Sequence, residues 1–159
     1  MYTALRLITL GSLLTLSLAP AAQPDTAAPA STADTDSVAT MIEQAQAQLQ
    51  RGETDAAIAT LKGAITTDPG SSLAHTRLGG AYLLSQDYSG AVGQFQQAIS
   101  TDSQNASAFI GLGMAYVHLK QTGPAKAALT EARRLNPSQS ADIDALLGQI
   151  EQRASAHHP

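Results

Sequence analysis

Side chains able to do acid–base or ligand chemistry are few and scattered. Histidines stand at 75, 118, 157 and 158, and imidazole is the side chain that titrates near neutrality and most often ligates metal. No nucleophile–base pairing is legible around any of them. His157 and His158 are adjacent near the C-terminus, but they lack a defined third donor, and a zinc site takes at least three protein ligands. A solvated tail is the expected role there, with weak metal binding as the alternative. Cysteine is absent, which excludes disulfides, thiolate zinc sites and a cysteine nucleophile. Arg133-Arg134 suits the negative end of a helix dipole. Neither a phosphate-binding glycine loop nor a paired-carboxylate motif is present. The sequence therefore predicts no catalytic residue, no metal and no cofactor. His118 is left as the one candidate for ligand binding or for a response to mild acid, against the reading that it is an exposed histidine without a role.

The elements that must carry any site are helical by composition. Apolar residues make up 43% of the 159 residues, yet aromatics are 4% and tryptophan is absent. A core made mostly of Ala, Leu and Ile suits closely packed helices, and the abundant Ala and Gln are good helix formers. Nine basic residues are scattered against 13 acidic ones, for a net charge of −4. With no basic stripe, nucleic acid is excluded as a partner.

The N-terminus has the three-part pattern of an export signal. Arg6 supplies the charge, 7–18 is an apolar run, and Ala19-Pro20-Ala21 offers small residues for cleavage after Ala21. A membrane span needs about 20 apolar residues, and this run is shorter and broken by Thr9, Gly11, Ser12, Thr15 and Ser17. Residues 1–21 are thus expected to be a signal peptide, with a retained anchor as the alternative. No membrane span is expected after cleavage, and the location is periplasmic or secreted. Residues 22–37 hold Pro24, Pro29 and no large apolar side chain, the composition of a disordered linker.

Beyond it, wording repeats at a fixed interval. Leu78-Gly79-Gly80-Ala81-Tyr82 returns 34 residues later as Leu112-Gly113-Met114-Ala115-Tyr116. Ala91, Phe95 and Ala98 follow the first; Ala125, Leu129, Ala132 and Pro137 follow the second. A fixed period of this length means stacked units, each burying a face that it cannot bury alone. Three units result: 38–71, 72–105 and 106–139. The first departs from the others on its opening helix, where Gln44 and Gln48 stand in place of Leu and Tyr. An end unit tolerates polar residues there; docking of a partner on that face is the alternative. Small residues at Gly79, Gly113, Ala91 and Ala125 mark close helix approach. Gly52-Glu53 and Gln86-Asp87 mark the turns within each pair, Pro69 and Pro137 the ends of second helices, and Ser37 an N-cap. Past Pro137, Ile143, Leu146, Leu147 and Ile150 recur at helical spacing, so 140–153 is expected to be a capping helix. The repeat domain runs 38–154, followed by a disordered tail, 155–159.

These units resemble tetratricopeptide repeats. The resemblance implies an all-α, helical-hairpin solenoid of three repeats plus a C-terminal capping helix. It also implies that His75 takes a core aromatic position, and that the first helix of each unit lines a concave groove. Ile42, Gln46 and Leu49 would contribute from the first unit, and Leu73, Thr76, Gly80, Leu83 and Leu84 from the second. Ile110, Met114, Val117 and His118 would contribute from the third. Members that grip C-terminal carboxylates carry Lys, Arg and Asn at such positions; this chain does not. An apolar groove suits an apolar or amphipathic peptide. The expected function is therefore non-catalytic protein–protein interaction, as a periplasmic scaffold or assembly adaptor. Self-association is the first alternative. A small-ligand binder or enzyme using the groove near His118 is the second.

Overall fold

Three helical hairpins follow one another at the spacing of the sequence repeat. In the computed structural model, which describes residues 32–155, α1 (Thr32–Gln50) pairs with α2 (Thr54–Thr67), and α3 (Ser72–Leu84) with α4 (Tyr88–Thr101). Next, α5 (Ala106–His118) pairs with α6 (Thr122–Leu135). A 3-10 turn at Pro137–Gln139 leads into α7 (Ser140–Ser155), which packs on α6. The described residues are all helix and connection, with no strand. The signal-like segment 1–21, most of the linker and His157-His158 lie outside them.

The period is written into the backbone. Each hairpin turns on one residue of positive φ: Gly52 at 78°, Gln86 at 65° and Lys120 at 59°, spaced by 34. One residue later the chain closes the turn with the same 2.9 Å bond. Glu53 N–H donates to Gln48 O, Asp87 N–H to Tyr82 O, and Gln121 N–H to Tyr116 O. Glycine takes this conformation without strain; Gln86 and Lys120 hold it at a cost of about 1–2 kcal/mol each. The second helices end alike at Asp68, Asp102 and Asn136, whose amides bond back to Ala64, Ala98 and Ala132. Proline follows the first and the third of these stops. The middle one has Ser103 instead, yet α4 ends at the same place. There Asp102 Oδ1 accepts from Gln104 N–H at 2.9 Å, as Asp68 Oδ1 does from Gly70 N–H. The aspartate turn is sufficient to end the helix.

Two expectations are corrected at the N-terminal side. Helix α1 begins at Thr32, so residues 32–37 belong to a helix and not to the linker. Ser37 lies inside it and caps nothing. The equivalent positions in the next units are true caps: Ser71 Oγ accepts from Ala74 N–H, and Asn105 Oδ1 from Ala108 N–H. At the other end α7 runs to Ser155, two residues beyond the expected end of the capping helix. It seals the last core cluster through Ile143 and Ile150, while Leu146 is only half-buried.

Packing between units centres on Phe95, 2% exposed. A Cβ at Gly79 would come within 2.8 Å of its ring, and one at Gly111 would overlap it. Phe95 therefore lies wedged between α3 and α5, and both helices need glycine to admit it. Gly113 plays the same part against Leu129, where a Cβ would stand 2.6 Å away. A polar seam completes the contact. Asn105 Nδ2 donates to Ser72 Oγ at 2.8 Å and to Thr76 Oγ1 at 2.9 Å, and Ser72 Oγ donates on to Ala98 O. His75, 7% exposed, is satisfied likewise: Nδ1 lies 2.9 Å from Gln94 Oε1 and Nε2 lies 3.1 Å from Pro69 O. It is a packed core histidine.

Two helical glycines should respond in opposite directions. Gly111→Val drives a branched side chain into Phe95 and should lower the unfolding free energy by about 2–3 kcal/mol. Gly80→Ala meets nothing within 4 Å and should raise it by about 1 kcal/mol through helix propensity. Urea titrations followed by circular dichroism measure both.

Candidate functional site

Helices α1, α3 and α5 form one face of the array, because α1 touches α3 and α3 touches α5 side by side. That sideways contact divides the predicted groove residues into two sets. The fifth and twelfth residues of each unit, counted from 38, 72 and 106, lean toward the next unit. Ile42, 5% exposed, is buried in the core with Leu61 and Leu78, and Leu49 packs on the same cluster. Ile42 is therefore removed from the site. Thr76 is taken up by Asn105, and Leu83 packs on the cluster around Phe95. Ile110 and Val117 pack against the cluster of Leu129, Ile143 and Ile150.

The second, ninth and thirteenth residues remain open. Gln46 is exposed on α1. Leu73 and Leu84 are 50% and 64% exposed on α3, and Met114 is 41% exposed on α5. These three are the large apolar side chains left exposed among the described residues. Leu73, Gly80 and Leu84 fall at i, i+7 and i+11, one stripe of a helix. Gly80 leaves a low point between the two leucines, since nothing lies within 4 Å of where its Cβ would be. Burying about 100 Å² of apolar surface from water is worth about 2.5 kcal/mol, so three such side chains on one face are a substantial anchor.

His118 is exposed, but its ring is not loose. It stacks on Tyr88 of α4, with centroids 4.4 Å apart and planes 3° from parallel. Beside it a cleft of about 140 Å³ opens between α5 and α7, lined by Met114, Val117, His118, Leu129, Leu146, Gln149 and Ile150. The α7 and α6 members of this cleft were not expected from the sequence. The signal for them was present. Ala74 and Ala81 on α3, and Ala108 and Ala115 on α5, are buried where each helix meets the unit before it. The same positions on α7 are Asp142 and Gln149, both exposed. Two small residues are replaced by polar ones, and α7 lacks the close approach to α5 that α5 has to α3. It is held to α6 instead, partly by Lys126–Glu151 and Arg133–Asp144, each at 2.7 Å.

The ion pairs among the described residues lie on the surface. Glu53 and Glu131 are held below the usual carboxylate range by hydrogen bonds from Arg51 and Arg134, and both pairs are exposed on the surface. Among the described residues no group of three or more His, Asp or Glu side chains is placed to hold a metal ion. No described helix is long and apolar enough to cross a membrane. The polar departures of the first unit have separate fates: Gln44 is exposed, whereas Gln48 Oε1 accepts from Thr60 Oγ1 at 2.9 Å and ties α1 to α2.

The split between core and groove is testable by stability alone. Ile42→Ala should cost about 2–4 kcal/mol. Leu84→Ala should change stability by less than about 0.5 kcal/mol. Equal losses in chemical denaturation would mean that Leu84 is covered.

Comparison with known proteins agrees with this geometry. Two tetratricopeptide repeat family models match, over residues 42–108 and 82–150. Among solved structures, the first TPR of Spaghetti (RPAP3) bound to an HSP90 peptide superposes with a TM-score of 0.73 at 19% identity, covering 76% of this chain and 94% of that one. The TPR2B domain of yeast Sti1, in a complex with Hsp70, gives 0.72 at 17%, covering 74% and 98%. The Yersinia enterocolitica type III secretion chaperone SycD, in complex with a peptide of the translocator YopD, gives 0.70 at 16%, covering 75% and 95%. No curated protein matches the sequence.

Proposed function

Since the chain belongs to the tetratricopeptide repeat family, with matches that together span residues 42–150, we propose that it is a non-catalytic interaction module whose concave face binds an apolar or amphipathic peptide segment of another protein. The observation that carries this reading is the placement of Leu73, Leu84 and Met114. A chain of this size has every means to bury three large apolar side chains, and it leaves them on one face. The similar folds named above were solved with peptides bound, which supports the same use of this one.

The cellular setting belongs to the same proposal. The arginine, apolar run and small-residue site at 6–21 support export, so the module acts as a scaffold or assembly adaptor in the bacterial envelope. Expressed in a bacterial host, the protein should be recovered from the periplasm with Ala22 as its first residue. N-terminal sequencing that returns Met1 from a membrane fraction would sink the export reading.

The groove is tested by affinity capture from the host's soluble envelope fraction. The variant Leu73→Glu/Leu84→Glu/Met114→Glu serves as the control, because these side chains support no core. A partner held by the normal chain and lost by the variant, at unchanged helicity, is the expected result. Equal retention by both would place binding elsewhere. Recovery of the chain's own copies alone would point to self-association.

A further inference from the structure

Asp142 and Gln149 stand α7 off from α5 and leave a cleft whose volume, lining and charge specify more than an apolar surface does. Its walls are Met114, Val117, Leu146 and Ile150, with Leu129 on α6. An apolar cavity of about 150 Å³ takes up benzene, so about 140 Å³ suits one aromatic ring. The imidazole of His118 is among the lining side chains and is already ordered by its parallel stack with Tyr88, so a ring that packs on it pays no further cost of ordering the histidine.

Of the three carboxylates on α7, only Asp142, in its first turn, has no ion pair among the described residues. The two α7 carboxylates of the seam are neutralised from α6, Asp144 by Arg133 and Glu151 by Lys126. Lys120, two residues past His118 at the α5–α6 turn, has no ion pair among the described residues. Neither His118 nor Gln149 spends a hydrogen-bonding group on another described side chain. Two free polar groups thus stand in the lining of an apolar slot that contains no carboxylate, and an unpaired lysine lies two residues along the chain from one of them.

We propose that this cleft is the specificity pocket of the groove, and that it takes an aromatic side chain of a partner peptide with a carboxylate next to it in sequence. The ring stacks on His118 between α5 and α7, and the carboxylate faces Lys120. This rests on the groove reading above and adds the chemistry of the segment bound.

The test titrates the 15N-labelled chain with three capped hexapeptides that carry a central Phe-Glu, Ala-Glu or Phe-Lys pair. Phe-Glu should shift the amides of Val117, His118, Gln149 and Ile150 saturably. Ala-Glu and Phe-Lys should bind about tenfold more weakly or less. His118→Ala, at an exposed position, should weaken Phe-Glu binding by a similar factor while leaving the spectrum of the fold intact. Lys120→Glu should reverse the preference between Phe-Glu and Phe-Lys. Equal affinity for the three peptides, or shifts centred on Leu73 and Leu84, would overturn the pocket and leave the groove standing. No shift with any peptide would overturn the pocket as well. The groove itself is judged separately, by capture with the α3 and α5 variants.

Discussion

The ring of Phe95 is the contact on which the rest of the array depends. It is the largest side chain at the centre of the molecule, and it packs only because α3 and α5 each present a glycine to it. Those two glycines bring α3 and α5 side by side, which sets the faces that their remaining residues can show. The equivalent position holds Leu61 in the first unit and Leu129 in the third, and the residues that correspond to Gly111 are Arg77 and Ala145. Both of those residues are exposed, so only the middle junction, where a phenylalanine ring takes the place of leucine, requires glycine on the following first helix.

The same sideways contact explains why Ile42 is buried and why Leu49, Thr76, Leu83, Ile110 and Val117 are half-buried. A first helix in a solenoid has a neighbour on each flank, so only its central stripe is free. Ile42, Leu83 and Ile110 lie on the flank and join cores; Leu73, Leu84 and Met114 lie on the stripe and stay out. The flank contact and the exposed stripe are therefore one property of the fold. Any change that altered the approach of α3 to α5 would also change how far apart the exposed leucines and Met114 stand.

Much of this was legible in the residues. The 34-residue interval fixed the hairpins, the turns at Gly52 and Gln86, the close approaches at Gly79 and Gly113 and the cap after Pro137, because each follows from local geometry or from repetition. What escaped needed knowledge of a neighbour in space. Gly111 is unremarkable until Phe95 of the preceding unit is set against it. Ile42 and Leu73 are both apolar and both on a first helix, and only the direction of the next unit separates them. Ser37 has the residue type and register of a cap, yet helical residues continue on its N-terminal side, so its hydroxyl has no free amide to bind. The end of α4 shows the converse. Proline is missing there, and Asp102 supplies the stop by a turn that leaves no mark in the hydrophobic pattern.

The cleft beside α7 follows from incomplete capping. A cap that closed fully on α5 would carry alanine at 142 and 149, as α3 and α5 do at their junctions, and would bury Leu146 and the inner faces of Met114 and Val117. At about 25 cal/mol per Å² of apolar surface, that closure would stabilise the chain by about 1–3 kcal/mol, a large share of what a small repeat array has in hand. The polar pair forgoes it, while Ile143 and Ile150 keep enough contact with α6 to seal the end of the core. The two ion pairs between α6 and α7 then hold the spacing with surface charges that contribute little to stability. Stability has been given up at the junction where the buried alanine pair is replaced, and what that leaves is a slot of about one ring's volume. Position, size and lining come from the same two departures from alanine, and Met114 and His118 join the cleft to the exposed stripe of α5.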